Sequence, residues 1–340
     1  MLELHDNLFN QRRHRDESKL KRWRYAGLML TYRCTATCRF CYYSCAPRAG
    51  GLMTVDTAIG AWEGLVRLAG ANARVHITGG EPFLYFDRLS EILDQAQRLG
   101  LAGLDAIETN ADWGSHEKEI ADKLKFLDSV GMDRLKISWD PFHEEFVDLA
   151  RVERLVSVAQ NVLGPERVLV RWDTWMAHPS GIREKTEAEK TVVLQEALKS
   201  DPCRFTGRAA ETLAPLAAGH DAAAFRQHSC QNALLSAKGV HIDPFGHVFN
   251  GQCSGMSIGN LTRHPLDVLW QRWQPDRDPF WTILYHSGPA GFLEEAGGLG
   301  YPIREKYASK CHLCTDIRRF FFDKNHYSQI ISPKECYGRY

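Results

Sequence analysis

Cys34, Cys38 and Cys41 stand in the run Cys34-Thr-Ala-Thr-Cys38-Arg-Phe-Cys41, a C-x3-C-x2-C spacing that places three thiols on one short loop. A free cysteine is ordinarily a small, buried hydrophobe, but three in one loop flanked by Thr, Arg and Tyr read as a ligand set. A cubane iron–sulfur cluster is normally held by four thiolates. Three would leave one iron open to something that is not protein, able to bind and reduce it. The competing reading is a zinc knuckle, which needs a nearby fourth Cys or His. Cys45 stands four residues on and could serve.

A second motif follows. Gly79-Gly80-Glu81-Pro82 comes directly after the apolar stretch Val75-His76-Ile77-Thr78. Two glycines let a backbone approach a ligand closely, and Glu81 is a carboxylate suited to an ammonium group. With both motifs in view, the chain resembles the radical S-adenosylmethionine (radical SAM) enzymes: the cysteine run resembles their signature loop, and the second motif looks like their GGEP turn. The resemblance implies a 4Fe–4S cluster on Cys34, Cys38 and Cys41, with S-adenosylmethionine on the fourth iron. It further implies cofactor contacts from Gly79, Gly80 and Glu81.

The elements that would position these residues are legible. Short apolar runs at Ala26–Thr31, Val75–Thr78, Leu104–Thr109, Arg134–Trp139, Arg167–Thr174 and Cys203–Thr206 alternate with amphipathic stretches such as Val55–Leu68, Leu89–Leu99, Glu117–Leu127, Glu144–Val162 and Glu187–Leu198. This alternation predicts an α/β fold of parallel strands joined by crossover helices, closing into a partial (β/α)6 TIM-type barrel. Ligands gather at the C-terminal ends of such strands, where both motifs fall. By position, Asn110 and Ser138 are candidates for the cofactor's ribose and carboxylate, and Arg171 for a salt bridge to that carboxylate. In the family an apolar residue at the place of Phe40 lies beside the adenine.

The remaining cysteines form a second set. Cys230 precedes a hairpin pattern, Gly239–Asn250, with Pro-Phe-Gly at its turn. That hairpin would return Cys253 beside Cys230, and Cys311-His-Leu-Cys314 supplies a C-x2-C pair. Cys230, Cys253, Cys311 and Cys314 are enough to close a cluster. They resemble the SPASM/twitch extension with one auxiliary 4Fe–4S cluster. A structural zinc on the same four residues, or a three-cysteine cluster in which Cys336 replaces one of them, remains an alternative. The expected organisation is a lead-in at 1–24, a radical SAM partial barrel at 25–210, a linker helix at 211–229 and a small cluster-binding domain at 230–340. The basic segment Arg12 to Arg24 reads as a solvated helix.

At 340 residues the chain can bury a large core. Its 42 basic residues balance 42 acidic ones, so no global field draws it to nucleic acid or a membrane. No apolar run reaches spanning length, no signal peptide is recognised, and the ten cysteines fit a reducing cytoplasm.

The resemblance implies reductive cleavage of S-adenosylmethionine to a 5′-deoxyadenosyl radical that takes hydrogen from substrate. An auxiliary cluster suits an oxidation or rearrangement of a small sugar- or nucleoside-like molecule, or of a peptide, in natural-product or cofactor biosynthesis. Electrons would come from a flavodoxin- or ferredoxin-type donor. Only about thirty residues precede the first strand, too few for a leader-binding domain, so a ribosomal-peptide maturase (crosslinking or epimerising) would need a separate leader-binding protein. An epimerase needs a thiol hydrogen donor, for which Cys336 is the choice. Asp140 or His143 could act as base in a dehydrogenation. A non-catalytic metal-binding scaffold is the reading from another class, and the open three-cysteine loop argues against it.

Overall fold

Five of the apolar runs become parallel strands: β1 (Tyr25–Met29), β2 (Arg74–Thr78), β3 (Leu104–Thr109), β4 (Arg134–Ser138) and β5 (Val168–Arg171). The computed structural model describes residues 1–251 and 253–340. Helices Val55–Ala69, Phe86–Arg98, Glu117–Ser129 and Leu149–Leu163 link successive strands. Their apolar stripes (Leu65 and Leu68, Leu89 and Ile92, Leu124 and Leu127, Leu155 and Ala159) are buried on the outer sheet face. The inner face is different in kind. There β2 to β4 alternate polar residues (His76, Thr78, Glu108, Lys136, Ser138) with fully apolar partners such as Ile77, Ile107 and Ile137. The fold is thus an α/β partial barrel with a polar lumen.

The sixth strand is not where the sequence pattern puts it. Cys203–Thr206 forms no strand. Pro202 and the charged Arg204 interrupt the run, and the Arg204 N–H donates to the Tyr42 hydroxyl (3.4 Å). The sixth parallel strand is β6 (Gly239–Ile242), which lies on the opposite side of β1, with Tyr25 against Gly239 and Leu28 against Ile242. β7 (His247–Asn250) and β8 (Ser257–Asn260) add antiparallel. The described residues therefore form one eight-stranded sheet in the order β5-β4-β3-β2-β1-β6-β7-β8. The expected hairpin exists, with Asp243 to Gly246 as its turn, but it extends the barrel sheet and is not walled off in a separate layer.

Three smaller expectations are also corrected. The linker at 211–229 is not one helix but short turns, Ala209–Thr212, Ala214–Leu216 and Ala222–Phe225, because Pro215 and Gly219 interrupt it. The Glu144–Val162 helix is split into Pro141–Glu144 and Leu149–Leu163. The basic lead-in is not a solvated helix. Leu20 and Trp23 are fully buried, and Arg12 and Arg13 reach Asp276 at 2.7 and 3.5 Å.

Asp243 closes the hairpin turn. Its carboxylate accepts from the Phe245 and His247 N–H groups (3.0 and 2.8 Å) and from the Tyr32 hydroxyl (3.0 Å), which ties β6 to the end of β1. Burial, only partly offset by those donors, raises its pKa to about 7. Since the folded value lies above the unfolded one, its stabilisation is complete below about pH 4 and is lost as pH rises through about 7. Denaturant unfolding of the chain and of Asp243→Asn across this range should show their stability difference shifting by about 4 kcal/mol. Parallel curves at all pH values would refute this.

Candidate active site

The cysteine loop leaves β1 and is closed at its base by backbone. Cys34 N–H donates to the Ala46 carbonyl (3.2 Å) and Ala46 N–H to the Tyr32 carbonyl (3.3 Å). The Gly79-Gly80 turn clamps the same place: Gly80 N–H donates to the Thr31 carbonyl (2.7 Å) and Glu81 N–H to the Arg33 carbonyl (2.9 Å). Only glycine permits this approach. A Cβ on Gly80 would lie 1.9 Å from the Arg33 oxygen, and Gly79 adopts φ +127°.

Above this clamp opens a mouth, continuous with solvent, with about 770 Å3 of atom-free space. Cys34, Cys38 and Cys41 line it together with Phe40, Gly79, Gly80, Asn110, Ser138, His143 and Arg171. Residues proposed from five strand ends thus meet at one place. Ser138 and Arg171 sit opposite each other in the β4–β5 register. Among the described residues neither side chain has a hydrogen-bond partner; Arg171 only stacks over Trp172 (4.3 Å). Phe40 completes an aromatic box with Phe142 (5.4 Å), His143 (5.1 Å) and Tyr42 (6.0 Å).

Two expected ligand contacts are engaged elsewhere. Glu81 is buried, and its carboxylate accepts from Phe83 N–H (3.1 Å), Thr109 Oγ1 (2.9 Å) and Asn110 N–H (2.8 Å). Burial pushes its pKa up to about 7. It ties the turn to the end of β3 and is not part of the mouth's lining. Asn110 does line the mouth, but its amide donates to Thr35 Oγ1 (3.0 Å) and Cys34 Sγ (3.6 Å). Its carbonyl accepts from Asp112 N–H (3.0 Å). Asn110 therefore steadies the cysteine loop.

Asp140 and His143 form a pair. Asp140 caps the Pro141–Glu144 turn through Oδ1 and holds His143 Nδ1 at 2.8 Å through Oδ2. That bond assigns the Nδ1 proton and leaves Nε2 as the free nitrogen of a side chain lining the mouth. Cys336 does not fit its expected role. It is buried beside the Tyr32 hydroxyl (3.3 Å), against Ser44 and Gly255, outside the lining of either cysteine cavity. The spare thiol that does line the mouth is Cys45, whose N–H donates to Cys41 Sγ (3.3 Å).

The second set converges as its spacing suggested. Cys230, Cys253, Cys311 and Cys314 line one cavity with Arg204, Lys310 and Arg318. Cys336 is not among them, so the three-cysteine alternative loses its replacement ligand. His312 accepts from Ala308 N–H at Nδ1 (3.1 Å) and is likewise outside the cavity lining.

Both donor sets suit clusters. Burial pushes Cys34 and Cys230 up to about 12 and Cys253 to about 11. Such crowded thiols become thiolates against a cationic core. Among the described residues no three His, Cys, Asp or Glu gather as closely as a single metal ion requires. Sulfurs on a cubane bind different irons and stand further apart.

Arg208 is a residue of the site that the sequence does not single out. Its guanidinium donates to the carbonyls of Cys38 (2.9 Å), Ser44 (2.9 Å) and Cys45 (2.7 Å), and its N–H to that of Cys41 (2.9 Å). No spacing rule announces such a residue, because its partners are backbone atoms far away in sequence.

The parallel α/β partial barrel thus brings three thiols together at its mouth. Residues 28–162 match the Radical SAM superfamily model. Three solved structures are similar at a distance. BtrN in complex with AdoMet and 2-DOIA is 16% identical over 79% of this chain and 90% of that one, with TM-score 0.47. Native anSMEcpe with bound AdoMet is 13% identical over 88% and 97%, with TM-score 0.43. Streptococcus suis SuiB bound to S-adenosylmethionine is 14% identical over 77% and 68%, with TM-score 0.35. No curated protein matches the chain. No described helix is long and apolar enough to cross a membrane.

Replacing Arg208 by Met should leave three loop carbonyls without their charged donor, costing about 2–4 kcal/mol in thermal unfolding. The iron retained per chain after anaerobic desalting should fall with it. Unchanged melting and unchanged iron would show that the loop holds itself.

Proposed function

We propose that this chain is a radical SAM enzyme that cleaves S-adenosylmethionine reductively and abstracts hydrogen from a small sugar- or nucleoside-like molecule or a peptide. The auxiliary cysteine set would support completion of an oxidation or rearrangement, in natural-product or cofactor biosynthesis. The observation that supports it most is the meeting of the three-cysteine loop with the unpartnered Ser138 and Arg171 at one barrel mouth. When bound, a 4Fe–4S cluster and S-adenosylmethionine supply a carbon radical able to take hydrogen from an unactivated C–H bond.

The chain's own residues then have assignable tasks. Cys34, Cys38 and Cys41 would hold three corners of the cluster. The Gly79-Gly80 backbone, which lines the mouth, would face the cofactor's amino group. Arg171 and Ser138 would pair with its carboxylate and ribose, and Phe40 with its aromatic neighbours would seat the adenine. Packed together, these groups orient the cofactor and limit water at the reacting carbon. His143, oriented by Asp140, can accept a substrate proton at Nε2. Cys230, Cys253, Cys311 and Cys314 would hold the second 4Fe–4S cluster, with Arg204, Lys310 and Arg318 offsetting the negative charge of four thiolates. A flavodoxin- or ferredoxin-type protein would be the electron donor.

Anaerobically reconstituted protein given dithionite and S-adenosylmethionine should release 5′-deoxyadenosine without added substrate. Replacing Cys34, Cys38 and Cys41 by Ala should abolish that product. The pair Cys311→Ala and Cys314→Ala should spare it, while iron falls from about eight to about four per chain. No 5′-deoxyadenosine from iron-replete protein would sink the proposal. A substrate-dependent rate that drops at least tenfold in His143→Phe, with its pH profile flattened, would mark His143 as the proton acceptor. An unaltered profile would remove it from that role.

A further inference from the structure

Below the mouth lies a layer of lumen side chains that none of the tasks above uses. Gly27 of β1 is in register with His76 of β2 on one side and His241 of β6 on the other. The two imidazoles lean over the glycine from both sides. A Cβ at Gly27 would meet His241 Cδ2 at 2.3 Å and His76 Nε2 at 2.6 Å, and the ring centroids are 5.3 Å apart at 85°. The missing side chain of Gly27 is what lets them meet.

Their hydrogen-bond state can be read. His241 Nδ1 donates to the Gly251 carbonyl (2.9 Å), so its Nε2 is the open position. Among the described residues neither nitrogen of His76 has a hydrogen-bond partner. Both rings are half-buried, and burial lowers both pKa values, His76 to about 4, so both are neutral at pH 7. A neutral imidazole offers one donor and one acceptor.

The charged neighbours are already matched. Glu108 accepts from Thr78 Oγ1 (2.8 Å) and faces Lys136 Nζ (3.7 Å). Lys136 also faces Asp105 (3.8 Å), and Asp105 holds Arg134 (3.1 Å). Both bases are thus engaged by carboxylates, Arg134 also by the exposed Asp133 (3.2 Å). The layer connects upward, since Thr78 and Glu108 line the mouth and Tyr43, which lines it too, packs on His241 (5.6 Å).

We propose that this layer seats the substrate, and that it selects an uncharged, hydroxyl-bearing segment through the open imidazole nitrogens of His76 and His241 beside Glu108. A hydroxyl donates and accepts at once, matching an imidazole pair with mixed roles. A carboxylate or ammonium would have to displace the Glu108–Lys136 contact or stay unmatched in a half-buried place, which is costly. This deepens the reading of the mouth as a radical SAM site and rests on it for the direction of attack.

The test uses the full reconstituted chain with S-adenosylmethionine and three probes on one sugar skeleton: glucose, cationic glucosamine and anionic glucuronate. Binding is read by ligand-observed NMR. Glucose should bind, with both charged sugars about tenfold weaker or worse. His76→Phe and His241→Phe should each lose glucose by about tenfold. His76→Gln, which keeps a neutral donor and acceptor, should retain most of the binding; it also separates lost contacts from a misfolded lumen. A charged sugar binding as well as glucose would overturn the proposal. So would wild-type binding in both Phe variants, or no binding of any probe. Glucose binding that follows this pattern in protein unable to form 5′-deoxyadenosine would uphold the lumen site and sink the cofactor reading alone.

Discussion

The site depends on one close backbone approach. The Arg33 carbonyl, just before the first cysteine, accepts from Glu81 N–H, and the neighbouring Gly80 leaves no room there for even a methyl group. This contact joins the end of β1 to the end of β2, and Glu81 passes the constraint to β3 through Thr109 and Asn110. Asn110 then returns to Cys34 and Thr35. The chain of contacts closes on itself, so the position of the thiols follows from strand pairing. A residue that looked like a ligand for an ammonium group is better understood as the knot in this ring.

A second anchor comes from the far side of the sequence. Arg208 fastens the cysteine loop from within, and Tyr42 carries the contact onward: its hydroxyl accepts from Arg204 N–H, and its carbonyl accepts from Ser254 Oγ (2.6 Å). Arg204 also lines the cavity of the second cysteine set. The two thiol clusters are therefore linked by a short run of backbone and side-chain contacts, while the cationic side chains around each one oppose the negative charge the thiolates would bring.

Much of this was legible in the chain itself. Central strands with continuous or alternating apolar residues declared β1 to β5, because parallel strands flanked by helices leave such patterns. The first cysteine set was legible from its short intervals, while the second needed the hairpin pattern that returns Cys253 towards Cys230 and the C-x2-C pair at Cys311 and Cys314. What escaped were facts of long-range geometry. The 203–206 run has strand-like residues but adds no strand beside β5, and the sixth parallel strand, β6, joins the opposite edge at β1 from a segment distant in sequence. Cys336 looked available until burial beside Tyr32 put it out of reach of the mouth. Glu81 and Asn110 were rightly placed at strand ends, yet a residue's type does not reveal which way its side chain turns. His76 and His241 gave no signal, because their juxtaposition depends on the absence of a side chain at Gly27.

The pairing of β6 with β1 bears on how the molecule could be divided. A polypeptide severed before Gly239 would leave the Tyr25–Leu28 edge stripped of its neighbour, its amides and carbonyls facing water as a sticky flank. The C-terminal third is thus less an appendage than a splint: the strand that delivers the second thiol cluster also shields the strand that launches the first. Gain or loss of such a segment would therefore be felt at the barrel's own backbone before any electron moved.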